Sequence, residues 1–231
     1  MDYSAVGSIS SFIDYVGEKT HKNATHLIEL AKKYNYKLHR PRRYEDSKIG
    51  IHPLNLSNIT EELLPKQCVV VPDTGYTASL AINKFRTGFK QRFLISDYNS
   101  PMGWSLPASI GASIYTDDLV VCLIGDGSFQ MTCNELATLA NYKRKVIFVI
   151  QNNQGCISIK NNMEGYYGKE GVFGPLVFEN PDFVKLAQAY GFDGVCVSTS
   201  GDYEQAFKKA LKSAKSTIID ARIDQKLMEW E

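Results

Sequence analysis

From residue 53 onward, short apolar runs alternate with stretches of helical periodicity. Runs rich in β-branched and aromatic residues fall at Cys68–Val71, Arg92–Ile95, Leu119–Ile124, Lys145–Ile150, Gly194–Val197 and Thr217–Ile223. Helical patterns lie between them, at about 55–64, 75–84, 104–114, 133–142, 181–190 and 202–214. The runs at 119–124 and 145–150 are continuously apolar rather than alternating, the pattern of strands covered on both faces. This predicts an α/β fold over residues 51–231, a mostly parallel sheet with helices on both faces. Such sheets take ligands beyond the carboxyl ends of their strands, near the point where strand order reverses. Residues 1–50 differ: they are polar and carry a basic cluster at Arg40, Arg42 and Arg43. A helix is expected over Ala24–Tyr34, with 36–52 as a linker, so this part reads as an N-terminal helical arm.

Composition narrows the function classes. The 231 residues amount to about one and a half domains at ~150 residues each. Lys plus Arg number 26 against 25 Asp plus Glu, a net charge of +1, which leaves no electrostatic footprint for nucleic acid or an acidic membrane. A hydrophobic content of 44% suffices for a full core. No apolar run approaches the ~20 residues that span a bilayer, and the N-terminus shows no secretory pattern. The five cysteines form no CxxC pair and no cluster with zinc spacing. They read as reduced, mostly buried thiols of a cytoplasmic protein.

The chemistry gathers after three strands. Val69–Val71 runs into Pro72-Asp73-Thr74-Gly75-Tyr76-Thr77, the run ending at Ile124 into Gly125-Asp126-Gly127-Ser128, and the run ending at Ile150 into Gln151-Asn152-Asn153-Gln154-Gly155. In a parallel sheet these ends share one edge. The glycines around Asp126 let a ligand approach the backbone. A helix is expected to begin just after, with Thr132 and Glu135 at capping-box spacing, its first turn suited to a phosphate. Residues 128 to 151 separate Gly127 from Asn152, one helix and one strand, so Asp126 and Asn153 should reach neighbouring strand tips. One carboxylate, one amide oxygen and one backbone carbonyl would form a partial cage for Mg²⁺, which leaves its other octahedral positions to water and substrate phosphates.

These motifs resemble a known family. GDGSFQM at 125–131, followed by NELATLANYK and VIFVIQNNQG, is similar to the GDG…NN signature of thiamine-diphosphate-dependent enzymes. PMGWSLPASIGA at 101–112 resembles a segment of the acetolactate synthase group, as do His52-Pro53 and VVVPDTG at 69–75. The resemblance covers roughly 51–223 and implies the C-terminal cofactor-binding domain, with thiamine diphosphate and Mg²⁺ as cofactors. It implies Asp126 and Asn153 as side-chain metal ligands and Gly155 as a backbone-carbonyl ligand. Gly127, Ser128 and Phe129 would contact the diphosphate at the helix entry, as would Gly75 and Thr77 at the first strand end, with Gly125, Cys156 and Ile157 beside the cofactor. Met102 would wedge under the thiazolium ring, and the Ser100 carbonyl would accept from the aminopyrimidine, at a position where the family usually has Gly.

The implied activity is that of a 2-oxo acid decarboxylase or carboligase. The family's pyrimidine-binding domain, with the glutamate that activates the cofactor, has no counterpart here, and no catalytic residue is assigned. Residues 1–50 would be the remnant of a middle domain. The chain therefore reads as one part of such an enzyme, working as a homo-oligomer or with a partner chain that supplies the missing domain. The alternative is a cofactor-binding module without turnover. A dinucleotide-binding domain is disfavoured because no GxGxxG follows the first strand. Cys156–Ile159 through Tyr166-Tyr167 is expected to form an active-site flap. That segment resembles enzymes of surface-sugar pathways more than the branched-chain biosynthetic enzyme. Phe129 and the helix after it are expected to face a partner.

Overall fold

The computed structural model describes residues 43–84, 91–96 and 98–227. The expected helix at Ala24–Tyr34 and the basic residues Arg40 and Arg42 lie outside the described residues. Six strands form one sheet: β1 (Cys68–Pro72), β2 (Gln91–Phe93), β3 (Leu119–Gly125), β4 (Val146–Asn152), β5 (Asp193–Val197) and β6 (Thr217–Arg222). Their order is β2-β1-β3-β4-β6-β5, and every pairing is parallel. The helices are α1 (Pro53–Leu63), α2 (Tyr76–Lys84), α3 (Ser105–Tyr115), α4 (Asp126–Thr132), α5 (Leu136–Tyr142), α6 (Ile157–Tyr167), α7 (Phe183–Ala189) and α8 (Ser200–Lys212).

Alternation along the strands builds two cores, because successive side chains leave a strand on opposite faces. Val121 and Leu123 of β3 join Ile147, Val149 and Ile219 beneath α1 and α8, where Leu56, Tyr203 and Phe207 are fully buried. Val120, Cys122 and Ile124 join Val146, Phe148 and Ile150 on the other face, beneath Leu106, Phe129, Leu139 and Phe183. Both faces being covered, β3 and β4 read as unbroken apolar runs. Helix starts follow local chemistry. His52 Nδ1 accepts from Leu54 N–H with Pro53 at the first turn, Asp182 accepts from Lys185 N–H, and Thr199 accepts from Asp202 N–H.

Residues 43–50 lie against the sheet domain without regular structure. Asp46 accepts from His52 N–H, Asn55 Nδ2 and Ser200 N–H and Oγ, and the buried Ile51 donates its N–H to Arg222 O. The cysteines are all free, but only Cys68 and Cys122 are buried. Cys196 is exposed because β5 is an edge strand, which corrects the expectation of mostly buried thiols. Among the described residues no helix is long and apolar enough to cross a membrane.

The chain runs from β1 outward to β2 and returns across the sheet to β3, which leads on to β4. Strand order therefore reverses between β1 and β3, and their carboxyl ends flank a crevice suited to a ligand.

Candidate functional site

The expected convergence of strand ends is present. β3 and β4 are neighbours with Gly125 paired to Gln151, so Asp126 and Asn153 emerge from adjacent tips, and Asp73 follows β1 on the other side of β3. Asp126 is 1% exposed, and among the described residues no lysine or arginine pairs with it. Burial pushes its carboxyl above the ordinary range, opposed by hydrogen bonds from Asn180 and from the Gly127 and Gly155 N–H groups. Oδ2 takes Gly155 N–H at 3.2 Å and Asn180 Nδ2 at 2.6 Å.

Gly127 sits at the centre of the expected residues. A Cβ there would lie 3.6 Å from Met102 Cε, 3.6 Å from Cys156 Sγ and 3.1 Å from Phe178 Cζ. Met102, Gly127 and Cys156 are thus brought together, with Phe178 added from a later segment. Gly155 is hemmed in, since any side chain would overlap the Leu176 carbonyl oxygen. Gly75, at φ +75°, faces Ser158 of α6, and Thr77 Oγ1 lies 3.4 Å from Gln151 Oε1. Ser128 is buried and Ile157, at the start of α6, is 3% exposed. Ser100 adopts φ +42°, a left-handed conformation that favours glycine, and its hydroxyl donates to Ser96 O. A cavity of about 160 Å³ opens beside it, lined by Asp73, Thr74, Ser96, Pro101 and Trp104 among others.

Two expectations are corrected. α4 begins at Asp126 itself, so no capping box forms: Thr132 Oγ1 donates to Gly103 O, and Glu135 accepts from Thr138. The Phe129 side chain does not face a partner. It is fully buried, edge-on to Phe148 and Phe183. The segment expected as a flap is helical over 157–167, with Tyr166 and Tyr167 exposed and Ser158 facing Gly75, and a later stretch also reaches the strand tips. Cys156 N–H bonds Leu176 O, Phe178 N–H bonds Gln154 O, and Asn180 reaches Asp126.

The motifs at these tips match a family model described as "Thiamine pyrophosphate enzyme, C-terminal TPP binding domain" over residues 73–221. The chain belongs to this family. The acetolactate synthase large subunit of Cyanidium caldarium is 35% identical over 130 residues, covering 56% of this chain and 22% of that protein. The acetolactate synthase isozyme 2 large subunit of Escherichia coli K12 is 29% identical over 190 residues, covering 81% of this chain and 34% of that protein. Among solved structures, the thiamine diphosphate-dependent 4-hydroxybenzoylformate decarboxylase of Rhodococcus jostii RHA1 superposes with a TM-score of 0.72 at 27% identity, over 81% of this chain and 35% of that one. The chain thus spans between a fifth and a third of the length of the curated relatives named here.

Within this TPP-binding domain, sequence reasoning gave two residues at the site no role. Asp73, 1% exposed, accepts from Gly103 N–H at 3.2 Å and Ser105 N–H at 3.0 Å. It caps α3 and sets the turn that presents Met102. In the sequence, VVVPDTG at 69–75 marks a strand end and carries part of the resemblance, but it does not single out Asp73. Asn180 lies 54 positions from Asp126 and was reachable by no spacing rule.

Proposed function

We propose that the chain is the cofactor- and metal-binding part of a thiamine-diphosphate-dependent 2-oxo acid decarboxylase or carboligase, acetolactate synthase-like, with Mg²⁺ as its metal. The observation that carries this reading is Asp126. A carboxylate buried without a paired cation is costly, and one hard-oxygen ligand on a rigid strand tip is what a Mg²⁺–diphosphate site needs from the protein. The donor set fits: the Asp126 side chain, the Asn153 side chain from the adjacent tip and the Gly155 backbone carbonyl would hold the ion. The space left open at Gly125, where a Cβ would meet nothing within 4 Å, fits the approach of a diphosphate.

The chain's own residues then have distinct tasks. Gly127 and Ser128 at the start of α4, and Gly75 and Thr77 at the start of α2, would bind the diphosphate. Met102, Cys156, Ile157 and Phe178 supply an apolar wall that excludes water. The left-handed turn at Ser100 would aim its carbonyl at the aminopyrimidine. When bound, the thiazolium ring supplies the electron sink for breaking the carboxylate–carbonyl bond of a 2-oxo acid, and the protein contributes orientation and electrostatics. Activation of the aminopyrimidine would fall to a pyrimidine-binding domain outside residues 51–231, and the location is the cytoplasm.

Calorimetry with Mg²⁺ and thiamine diphosphate tests the reading. Asp126→Ala removes a charged ligand whose contacts are worth ~1.5–3 kcal/mol each, so affinity should fall at least about tenfold. Asn153→Ala should weaken binding less. Unchanged affinity in Asp126→Ala would overturn the metal assignment.

A further inference from the structure

An unbroken line of side chains crosses the carboxyl edge of the sheet behind the strand tips. Gln130 Nε2 donates to Asn180 Oδ1 at 2.7 Å. Asn180 Nδ2 donates to Asp126 Oδ2 at 2.6 Å and to Asn152 Oδ1 at 2.8 Å. Asn152 Nδ2 donates to Asp220 Oδ1 at 2.7 Å, and Asp220 Oδ2 pairs with Arg222 at 3.3 Å. Asp220 and Asn152 are both almost fully buried.

The direction of this line follows from its chemistry. Two carboxylates accept along it, Asp126 and Asp220, and neither donates when ionised. Asp220 forces Asn152 to present its nitrogen backward and its oxygen toward the strand tip. That oxygen and Asp126 Oδ2 then converge on one amide nitrogen, that of Asn180, which has two hydrogens to give. Its oxygen is left for Gln130. Neither Asn152 nor Asn180 can flip without placing two donors or two acceptors face to face.

The consequence falls on Asp126. Its Oδ2 is taken twice by the protein, by Asn180 Nδ2 at 2.6 Å and by Gly155 N–H at 3.2 Å. We propose that Asn180 is a positioning residue for the divalent cation: it locks Oδ2 into the protein, turns Oδ1 outward as the metal-binding oxygen, and ties the β3 tip to Asn152 on β4. This rests on the reading of Asp126 as a metal ligand. A ligand held by such an outer hydrogen bond binds its metal typically ~10–100-fold more tightly than one left to rotate.

The test uses Mn²⁺ as the probe, titrated into the full chain with thiamine diphosphate present and followed by electron paramagnetic resonance. Wild type should bind one ion and Asp126→Ala should lose it. Asn180→Ala should bind ~10–100-fold more weakly, with an altered spectrum of the bound ion. Gln130→Ala breaks only an exposed bond to Asn180, so it leaves metal-free melting unchanged yet should weaken Mn²⁺ binding in the same direction by a smaller factor. That split separates orientation from stability and carries the test should Asn180→Ala misfold. Wild-type affinity in Asn180→Ala and Gln130→Ala, with binding still lost in Asp126→Ala, would overturn the positioning role alone. Binding unaffected by Asp126→Ala, or absent in wild type, would overturn the metal reading as well.

Discussion

Asp73→Ala isolates the residue that shapes the Met102 turn. The carboxylate is 1% exposed and takes two backbone N–H groups, Gly103 at one oxygen and Ser105 at the other. Its removal leaves two buried donors unpaired, each costing ~1–3 kcal/mol. Relief from burying a charge offsets part of this, so the net loss should be ~2–4 kcal/mol. At ~2–4 °C per kcal/mol for a chain of this size, the melting temperature should drop by roughly 5–15 °C. Asp73→Asn keeps one acceptor oxygen and should lose less. Arg92→Ala is the control: it breaks a surface ion pair with Asp118 and a hydrogen bond to Thr116, and should cost far less. Scanning calorimetry reads all three. Because Gly103, at φ +83°, follows Met102 directly, Asp73→Ala should also weaken thiamine diphosphate binding while Arg92→Ala does not. Melting of Asp73→Ala within about 1 °C of wild type would refute the assignment of a buried, turn-setting cap.

Three further outcomes follow from the same geometry. Gly155→Ala places a methyl group against the Leu176 carbonyl, so it should cost ~1–3 kcal/mol and speed hydrogen exchange at Cys156 and Phe178; unchanged exchange there counts against the close approach. Phe129→Ala should lose ~3–5 kcal/mol in urea denaturation, and Phe129→Leu much less, because the ring fills the core between Phe148 and Phe183; a small loss in the alanine variant would place the ring elsewhere. Burial raises the Asp46 carboxyl, but bonds from His52, Ser200 and Asn55 outweigh it and hold the group below its ordinary 3.8. A lowered carboxyl stabilises the fold above its unfolded value and stops doing so as pH falls through the folded value. The destabilisation of Asp46→Ala should therefore be largest near neutrality and fade as pH drops below 3.8; a constant difference down to strong acid would show that packing, not charge, holds residues 43–50.

The sheet was legible because its signal is local. Every strand expected from apolar runs is present within a few residues, and burial on both faces of β3 and β4 is what makes their runs continuous. The convergence of Asp126 and Asn153 was legible for a related reason: once strands are parallel and neighbouring, a strand–helix–strand spacing brings their tips together. The failures share a different cause. α4 starts on Asp126 behind Gly125, which has no side chain to signal a cap, whereas Thr132 and Glu135 have capping spacing but spend their oxygens on Gly103 and Thr138. α6 was not expected because its polar run, with Asn161, Asn162 and Gly165, has little periodicity. Asp73 and Asn180 hold the site by reaching groups far along the chain, 30 and 54 positions away. A local pattern announces what a segment becomes, but it carries no record of which distant backbone or carboxylate a turn residue will meet. The residues at the tips of β3 and β4 could thus be brought together from sequence, while those that orient them had to wait for the fold.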